Sequence, residues 1–150
     1  MIGIRPAVQQ DAPVLKMLLA QMGKAYQRSV EQIEDRIQSF SLARHQLLVA
    51  EVDSVVMGFI AFGCYEQFRL QGCCCHIDTL VVDKACRGNG VGKALVVVAE
   101  QYAKAQGATE IELTTANYRR AHGTHSFYKA IGYHDHLDID CTYFAKQRTW

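Results

Sequence analysis

Residues 75–107 read CHIDTLVVDKACRGNGVGKALVVVAEQYAKAQG, and this stretch decides the fold. Residues 76–82 are β-branched and apolar enough to predict a buried strand. Three glycines then follow at alternate positions: Gly88, Gly90 and Gly92. Residues 93–106 predict an apolar helix, and Gly107 is placed to end it. A glycine turn before a helix presents free backbone N–H groups at the positive end of the helix dipole, which favours a phosphate or pyrophosphate.

The length and charge of the chain narrow the classes of function. A chain of 150 residues predicts one domain over residues 1–150, with a core that needs no disulfides. A formal net charge of +1 gives no general attraction to nucleic acid or to an anionic membrane. No apolar run approaches the roughly 20 residues of a membrane span, and the first residues lack a signal-peptide pattern. We therefore expect a cytoplasmic protein with no nucleic-acid or membrane partner.

The cysteines and histidines predict neither disulfides nor a metal site. Three of the six cysteines are consecutive, and no Cys-x-x-Cys pair is present, so we interpret them as small buried hydrophobic residues that stay reduced. Cys75 precedes His76, but strand neighbours point to opposite faces and do not make a nucleophile–base pair. The spacings of His122/His125 and His134/His136 lack the further ligands that a zinc site needs, so no metal is expected.

The order of the predicted elements gives the fold class. Strands are predicted at 2–7, 46–52, 55–64, 73–82, 110–115, 133–138 and 139–144. Helices are predicted from Asp11, as the N-cap residue, to Gly23, from a Ser29/Gln32 capping box onward, at 93–106 and at 121–131. This pattern predicts an α/β (α+β) domain, with a mixed, largely antiparallel sheet of about seven strands and four helices on both faces.

Two common nucleotide-binding loops do not fit the glycine turn. A P-loop has four residues between its glycines and then Lys-Ser/Thr, whereas three residues separate Gly88 from Gly92 and Ala94 follows Lys93. A dinucleotide fingerprint has Gly-x-Gly-x-x-Gly after the first strand of a βαβ unit, whereas the strand here ends an antiparallel meander.

A third kind of loop fits the turn. Arg87-x-x-Gly90-x-Gly92 resembles the Arg/Gln-x-x-Gly-x-Gly/Ala signature of the GNAT superfamily of acyl-CoA-dependent N-acetyltransferases. The segment FYKAIGY at 127–133 is similar to the Phe-Tyr-x-x-x-Gly-Phe/Tyr block of that family. The resemblance extends over essentially the whole chain, with the elements in the family's order, and implies a GNAT-like fold.

The resemblance implies acetyl-CoA as co-substrate, without a metal. The backbone of the turn would bind the CoA pyrophosphate, with charge from Lys93, through Arg87, Gly88, Asn89, Gly90, Val91 and Gly92. The pantetheine arm would lie along the main chain of Leu80, Val81 and Val82, and an N–H near Val82 would stabilise the oxyanion. Asn117 is placed where family members contact the cofactor.

The resemblance also implies catalytic roles. Tyr128 matches the general acid that protonates the departing thiolate. His76 and Asp78 lie two apart on one strand and so share a face, and either is a candidate general base. We therefore expect transfer of acetyl from acetyl-CoA to a primary amine, of a small molecule or a protein, by direct attack in a ternary complex. A catalytically silent acyl-CoA-binding sensor is the alternative, and the family's dimers suggest a homodimer.

Overall fold

The computed structural model describes residues 1–42, 45–69 and 71–135. Its strands are β1 (Ile2–Pro6), β2 (His45–Val52), β3 (Val55–Glu66), β4 (Cys73–Val82) and β5 (Ala108–Leu113). Its α-helices are α1 (Ala12–Ala20), α2 (Val30–Leu42), α3 (Val91–Ala105) and α4 (Thr124–Ala130). Internal contacts divide the chain into two compact units, Met1–Thr114 and Thr115–Trp150.

The five strands form one mixed sheet in chain order, β1 to β5. The first four are antiparallel neighbours joined by short connections or by the α1–α2 segment. Strand β5 runs parallel to β4, because helix α3 carries the chain back across the sheet between them. The predicted α/β class and the meander before the glycine turn are thus confirmed.

The predicted number of about seven strands is wrong for the described residues, which form five. Most of the predicted closing pair, 133–138 and 139–144, lies outside the described residues. The described start of that pair forms no strand, because the Tyr133 N–H donates to the Tyr128 carbonyl at 3.0 Å and closes the end of α4.

Helices cover both faces of the sheet in the first unit. Helices α1 and α2 pack through Leu15, Leu18, Ile33 and Ile37 against one face, where Val49, Phe59 and Val81 also belong to the core. Helix α3 covers the other face, and its Tyr102 ring packs edge-on against Phe62 at 5.4 Å. Side chains of one strand therefore pack on opposite faces of the sheet, as with Phe59 on the α1–α2 side and Phe62 on the α3 side.

The starts of the first two helices differ in their capping. Ser29 and Gln32 form the predicted capping box: the Ser29 N–H donates to Gln32 Oε1 at 3.0 Å and the Gln32 N–H donates to Ser29 Oγ at 3.2 Å. Asp11 precedes α1 but makes no side-chain capping bond. Its carboxylate instead accepts two hydrogen bonds from Arg5, at 2.7 and 2.9 Å.

Three glycines mark irregularities or ends of the elements. The predicted helix at 121–131 is wrong: the chain forms a 3-10 segment (Asn117–His122) followed by α4, because Gly123 adopts a φ of +78° and interrupts the helix. Beside Gly58, the pairing of β2 with β3 shifts its register. At Gly107 the φ of +72° confirms the predicted end of α3.

Membrane spans, metal-ligand groups and thiols are described for residues 1–42, 45–69 and 71–135. There, no helix is long and apolar enough to cross a membrane. No group of three or more metal-ligating side chains occurs in the same part of the chain. The five cysteines of that part are free thiols.

Candidate active site

Strand β4 has an open edge over its second half. Its parallel pairing with β5 runs from Cys73 to Ile77, which lies opposite Leu113 at the end of β5. Beyond this point β4 continues to Val82 beside β3, and no strand in residues 1–42, 45–69 or 71–135 pairs with its other edge. The pairing of the two parallel strands thus ends where β5 ends, and an extended ligand can add as a strand to the part of β4 beyond it.

The register determines which backbone groups face this open edge. The Asp83 N–H donates to the Met57 carbonyl at 2.7 Å, so the next pair along the ladder, Val82 with Gly58, is a non-hydrogen-bonded pair. The N–H and C=O of Val82 and of Leu80 therefore point away from β3, whereas those of Val81 point toward β3. At this edge the Val82 carbonyl already accepts a hydrogen bond from Arg87 Nε at 3.1 Å. The Val82 N–H, which points to the same edge, is the group that remains for a ligand.

The glycine turn leads from β4 into the N-terminus of α3. Gly88 and Gly90 have φ values of +82° and +83°, which L side chains rarely adopt, and a Cβ at either would meet nothing within 4 Å. Gly90 is the N-cap residue, and neither a capping side chain nor an acidic residue occupies the first turn. The N–H groups of Val91, Gly92 and Lys93 consequently lack helical acceptors. This combination suits an anion.

A residue from α1's C-terminal end holds the start of the turn. Gln21 Nε2 donates to Asp83 Oδ2 at 2.9 Å, and Gln21 Oε1 accepts from the Lys84 N–H at 3.0 Å. The Asp83 carboxylate also accepts from the Ala85 N–H at 2.8 Å, and this bond holds the pKa of Asp83 below its usual value. The turn is therefore anchored before its first glycine.

His76 faces a carboxylate on the neighbouring strand. His76 and Glu112 are register partners on β4 and β5, and His76 Nδ1 lies 3.4 Å from Glu112 Oε1. Nδ1 is buried and has no hydrogen bond in the described part of the chain, so Glu112 is placed to receive its proton. This arrangement leaves Nε2 as the nitrogen with a free lone pair.

Tyr65 fixes the Glu112 carboxylate. The Tyr65 hydroxyl donates to Glu112 Oε1 at 2.6 Å and accepts from Gln67 Nε2 at 3.0 Å. The hydrogen bond from Tyr65, more than the charge of His76, holds the pKa of Glu112 below its usual value. The same hydrogen bond raises the pKa of Tyr65 to about 12, so this phenol stays protonated and keeps donating.

Asp78 is brought to the same cavity as His76. The register of β3 and β4 shifts at this point, with Ile77 opposite Phe62 and Thr79 opposite Ala61, so Asp78 is the extra residue of a β-bulge. Asp78 Oδ2 accepts from the Thr79 hydroxyl at 2.9 Å. Both candidate bases line one cavity of about 420 Å³, together with Tyr65. Their predicted shared face is thus observed.

The cysteines beside His76 do not offer a nucleophile. Cys74 and Cys75 are fully buried, and burial raises the pKa of Cys74 to about 11 and of Cys75 to about 12. A thiol with such a pKa carries almost no thiolate at neutral pH.

The second unit carries the remaining predicted residues. Tyr128 lies in α4, packed edge-on against Phe127 and Tyr133 at ring distances of 5.0 and 5.8 Å. Burial raises the pKa of Tyr128 to about 12, against an opposing effect of Arg119. Asn117 is exposed at the first position of the 3-10 segment.

The comparisons with known proteins identify the family. The sequence profile described as the acetyltransferase (GNAT) family matches residues 13–133. The chain belongs to the GNAT family of acetyltransferases. The match begins in α1 and ends at the last residue of the FYKAIGY block, so it covers most of the first unit of this acetyltransferase and the beginning of the second. A sequence comparison with curated proteins finds no match.

Solved structures share the fold of this acetyltransferase. It superposes on a transcriptional regulator from Bacillus halodurans C-125 with a TM-score of 0.83, 23% identity and coverage of 96% of this chain and 100% of the other. Glucosamine-6-phosphate N-acetyltransferase from Arabidopsis thaliana superposes with a TM-score of 0.76 and 22% identity. The superposition covers 97% of this chain and 99% of the other. An aminoglycoside N-acetyltransferase in complex with CoA superposes with a TM-score of 0.80 and 16% identity. The superposition covers 99% of this chain and 95% of the other.

Sequence reasoning found the turn and both candidate bases but missed three supporting residues. Gln21, Tyr65 and Glu112 each act through side-chain contacts between segments far apart in the chain, as with the 47 residues between Tyr65 and Glu112. The sequence did contain one indication of Glu112. It lies on the strand predicted directly after the helix at 93–106, and a strand that follows such a crossover helix is expected to pair with the strand before it, here β4.

Proposed function

We propose that this acetyltransferase transfers an acetyl group from acetyl-CoA to a primary amine by direct attack in a ternary complex. The observation that carries the proposal is the position of His76. Its imidazole lies just before the open edge of β4, with Glu112 against Nδ1 and a cavity of about 420 Å³ alongside.

The residues of the first unit fit acetyl-CoA. The open space at Gly88 and Gly90 admits a pyrophosphate close to the backbone, and the N–H groups of Val91, Gly92 and Lys93 are free to donate to it. Exposed side chains of Arg87, Asn89 and Lys93 flank the turn. The pantetheine arm would add to β4 through Leu80 and Val82, whose N–H and C=O groups point to the open edge. When bound, acetyl-CoA supplies the activated acyl thioester.

Four groups of the chain then have roles in the transfer. His76 Nε2 accepts a proton from the acceptor ammonium or from its attacking nitrogen, while Glu112 stabilises the imidazolium that forms. The Val82 N–H donates to the carbonyl oxygen as negative charge develops there. The amine nitrogen bonds to the carbonyl carbon, the carbon–sulfur bond breaks, and Tyr128 gives its proton to the sulfur. The products are an N-acetylated amine and CoA.

Tyr128 holds the proton that the acid role requires. At a pKa of about 12 the phenol is protonated throughout the neutral range. The family resemblance assigns this proton to the departing thiolate, whose acid has a pKa of roughly 8.5, and protonation of the thiolate completes the release of CoA. We also propose a cofactor contact for Asn117, on the family resemblance alone.

His76 is the better base of the two candidates. Asp78 is exposed, and its Oδ2 already accepts a hydrogen bond from the Thr79 hydroxyl. His76 has Glu112 Oε1 3.4 Å from its Nδ1, a carboxylate placed to orient the ring and to stabilise the imidazolium that proton transfer would form. We assign Asp78 the role of binding the cationic acceptor.

The test is release of CoA thiol with a panel of primary amines. We expect turnover with at least one amine, and loss of about 10²-fold or more in kcat for His76→Ala with smaller loss for Asp78→Asn. Binding of acetyl-CoA by all variants, measured by thermal stabilisation, serves as the control. Stabilisation by acetyl-CoA without turnover on any amine would contradict the proposal and favour a silent acyl-CoA sensor.

A further inference from the structure

Two adjoining cavities lie beside His76 in the first unit. The larger, of about 420 Å³, contains both candidate bases, and the smaller, of about 220 Å³, lies between the first two helices and the sheet. They share Arg36, Phe40 and Asp78 in their linings, so one ligand can reach from one into the other. The volume of the larger is that of a small-molecule site.

The charges of the lining do not match a site for a simple amine. Among the described residues that line the two cavities, the charged side chains are Asp78, Arg28 and Arg36. His45 and His76 add two imidazoles, and Glu112 lies against His76. A cationic amine alone would give the two arginines of the lining no anionic partner in the ligand.

Arg36 is the cation that is available to a ligand. Its guanidinium lies over the Phe40 ring, 5.4 Å from the ring centroid, and makes no ion pair within residues 1–42, 45–69 and 71–135. Arg28 differs, because its guanidinium already donates to the Ala25 and Gln27 carbonyls at 3.1 and 2.7 Å. A guanidinium held on an aromatic face presents its donor edge to a carboxylate or phosphate.

We propose that the acceptor of this acetyltransferase is a small amine that also carries an anionic group, which Arg36 binds while Asp78 holds the ammonium next to His76. The inference rests on the proposed function and narrows its substrate class. An acceptor with both charges would neutralise Arg36 and Asp78 together. Apolar residues of the cavity linings, such as Phe40, would contact its carbon chain. The anion is a carboxylate or a phosphate, since both match the guanidinium edge.

The first experiment compares matched acceptors that differ only in the anion. O-phosphoethanolamine is paired with ethanolamine, and β-alanine with propylamine, at equal ionic strength. We expect kcat/KM on the order of tenfold to a hundredfold higher for the anionic member of at least one pair, carried mainly by KM. The pair with the larger ratio distinguishes phosphate from carboxylate. Equal or inverted ratios in both pairs would overturn the proposal.

The variants Arg36→Gln and Arg36→Lys assign the preference to one side chain. Arg36→Gln should bring the anionic-to-neutral ratio close to one, and Arg36→Lys should retain part of it, because an ammonium keeps the charge without the bidentate geometry. Lys16→Gln is the matched control, because this substitution also removes one positive charge. Lys16 is exposed on α1 and lines neither cavity. An unchanged ratio in Arg36→Gln would make Arg36 a solvated helix residue and overturn the proposal.

A binding measurement separates this inference from the proposed function. Calorimetric titration of each acceptor pair into the protein saturated with CoA requires no turnover. We expect tighter binding of the anionic member by wild-type protein and loss of that difference in Arg36→Gln. Turnover without tighter binding of the anionic acceptor would refute the present inference but leave the proposed acetyl transfer intact. Tighter binding of the anionic acceptor without turnover would support the inference and contradict the proposed acetyl transfer.

Discussion

His76 and Glu112 face each other across the parallel pairing of β4 and β5, with His76 Nδ1 3.4 Å from Glu112 Oε1. The hydroxyl of Tyr65 holds the same carboxylate oxygen at 2.6 Å. The proposed base is thereby oriented by a group on the next strand, close to the end of the β4–β5 pairing. The separation of 3.4 Å is longer than that of a good hydrogen bond.

Glu112→Gln tests whether this carboxylate acts through His76. We expect kcat to fall about tenfold to a hundredfold with the KM for acetyl-CoA nearly unchanged, because the amide no longer stabilises the imidazolium. In a His76→Ala background the same change should have little further effect, since residues acting as one unit are not additive. Steady-state kinetics of the four proteins measures this coupling.

Glu110→Gln is the matched control for that cycle, because Glu110 lies two residues before Glu112 on β5 and pairs with Cys74 rather than with His76. It should leave kcat within about twofold. Additive losses from Glu112→Gln and His76→Ala would contradict a positioning role for Glu112.

Tyr128→Phe tests the proton donor. Removing the hydroxyl should lower kcat by about 10²-fold or more while binding of acetyl-CoA is kept, since the phenol acts only as the thiolate departs. Tyr102→Phe, in which an α3 ring packed on Phe62 loses the same atom, should retain activity. Full turnover in Tyr128→Phe would remove Tyr128 from the mechanism.

Gly90→Ala tests the glycine turn as the site for the CoA pyrophosphate. Alanine at a φ of +83° lowers stability by about 1 kcal/mol, and its methyl group would occupy the space over the first turn of α3. Gly107→Ala is a strained control with a φ of +72° and equally open space at the opposite end of α3. Thermal unfolding should show similar losses for both variants, whereas calorimetry should show weaker CoA binding for Gly90→Ala alone. Equal CoA affinity in the two variants would place the pyrophosphate elsewhere.

Asp11→Asn tests the ion pair that replaces the expected helix cap. Arg5 holds the pKa of Asp11 below its usual value, while Val8 donates a further hydrogen bond to the carboxylate. Because the folded pKa is the lower one, the stabilisation is full above about pH 4 and is lost as pH falls through the folded pKa.

Urea unfolding as a function of pH measures this contribution. We expect Asp11→Asn to lower the free energy of unfolding by about 1–2 kcal/mol at neutral pH, with a flatter decline in acid. Asp53→Asn, which removes an exposed pair with the N-terminus, should change stability little. A neutral-pH loss that persists undiminished in acid would exclude the ion pair as its cause.

Local sequence patterns were sufficient for much of the fold. Alternation predicted β4 with its observed bounds, and the Ser29/Gln32 box predicted the start of α2. The interruption at Gly123 was not predicted, because glycine is tolerated within helices when its φ is negative. Asp11 was taken as a cap because nothing local indicates that Arg5 lies across from it on β1.

The site was predictable only where its residues share one segment. The glycine turn, His76 and Asp78 follow one another along the chain, so their spacing carried the information. The roles of Tyr65, Glu112 and Arg36 depend on contacts between strands and helices that only the register of the folded sheet creates. Sequence therefore indicated a candidate chemistry, while the structure adds the carboxylate beside the proposed base and the charges that line the neighbouring cavities.

Acetyl transfer to an amine is tested most directly by mass spectrometry of the acceptor after incubation with acetyl-CoA, alongside measurement of free CoA thiol. We predict one acetyl group on the amine nitrogen for each thiol released by wild-type protein, and loss of both products together in His76→Ala. Thiol release without an acetylated amine, or undiminished acetylation by His76→Ala, would contradict the proposed mechanism.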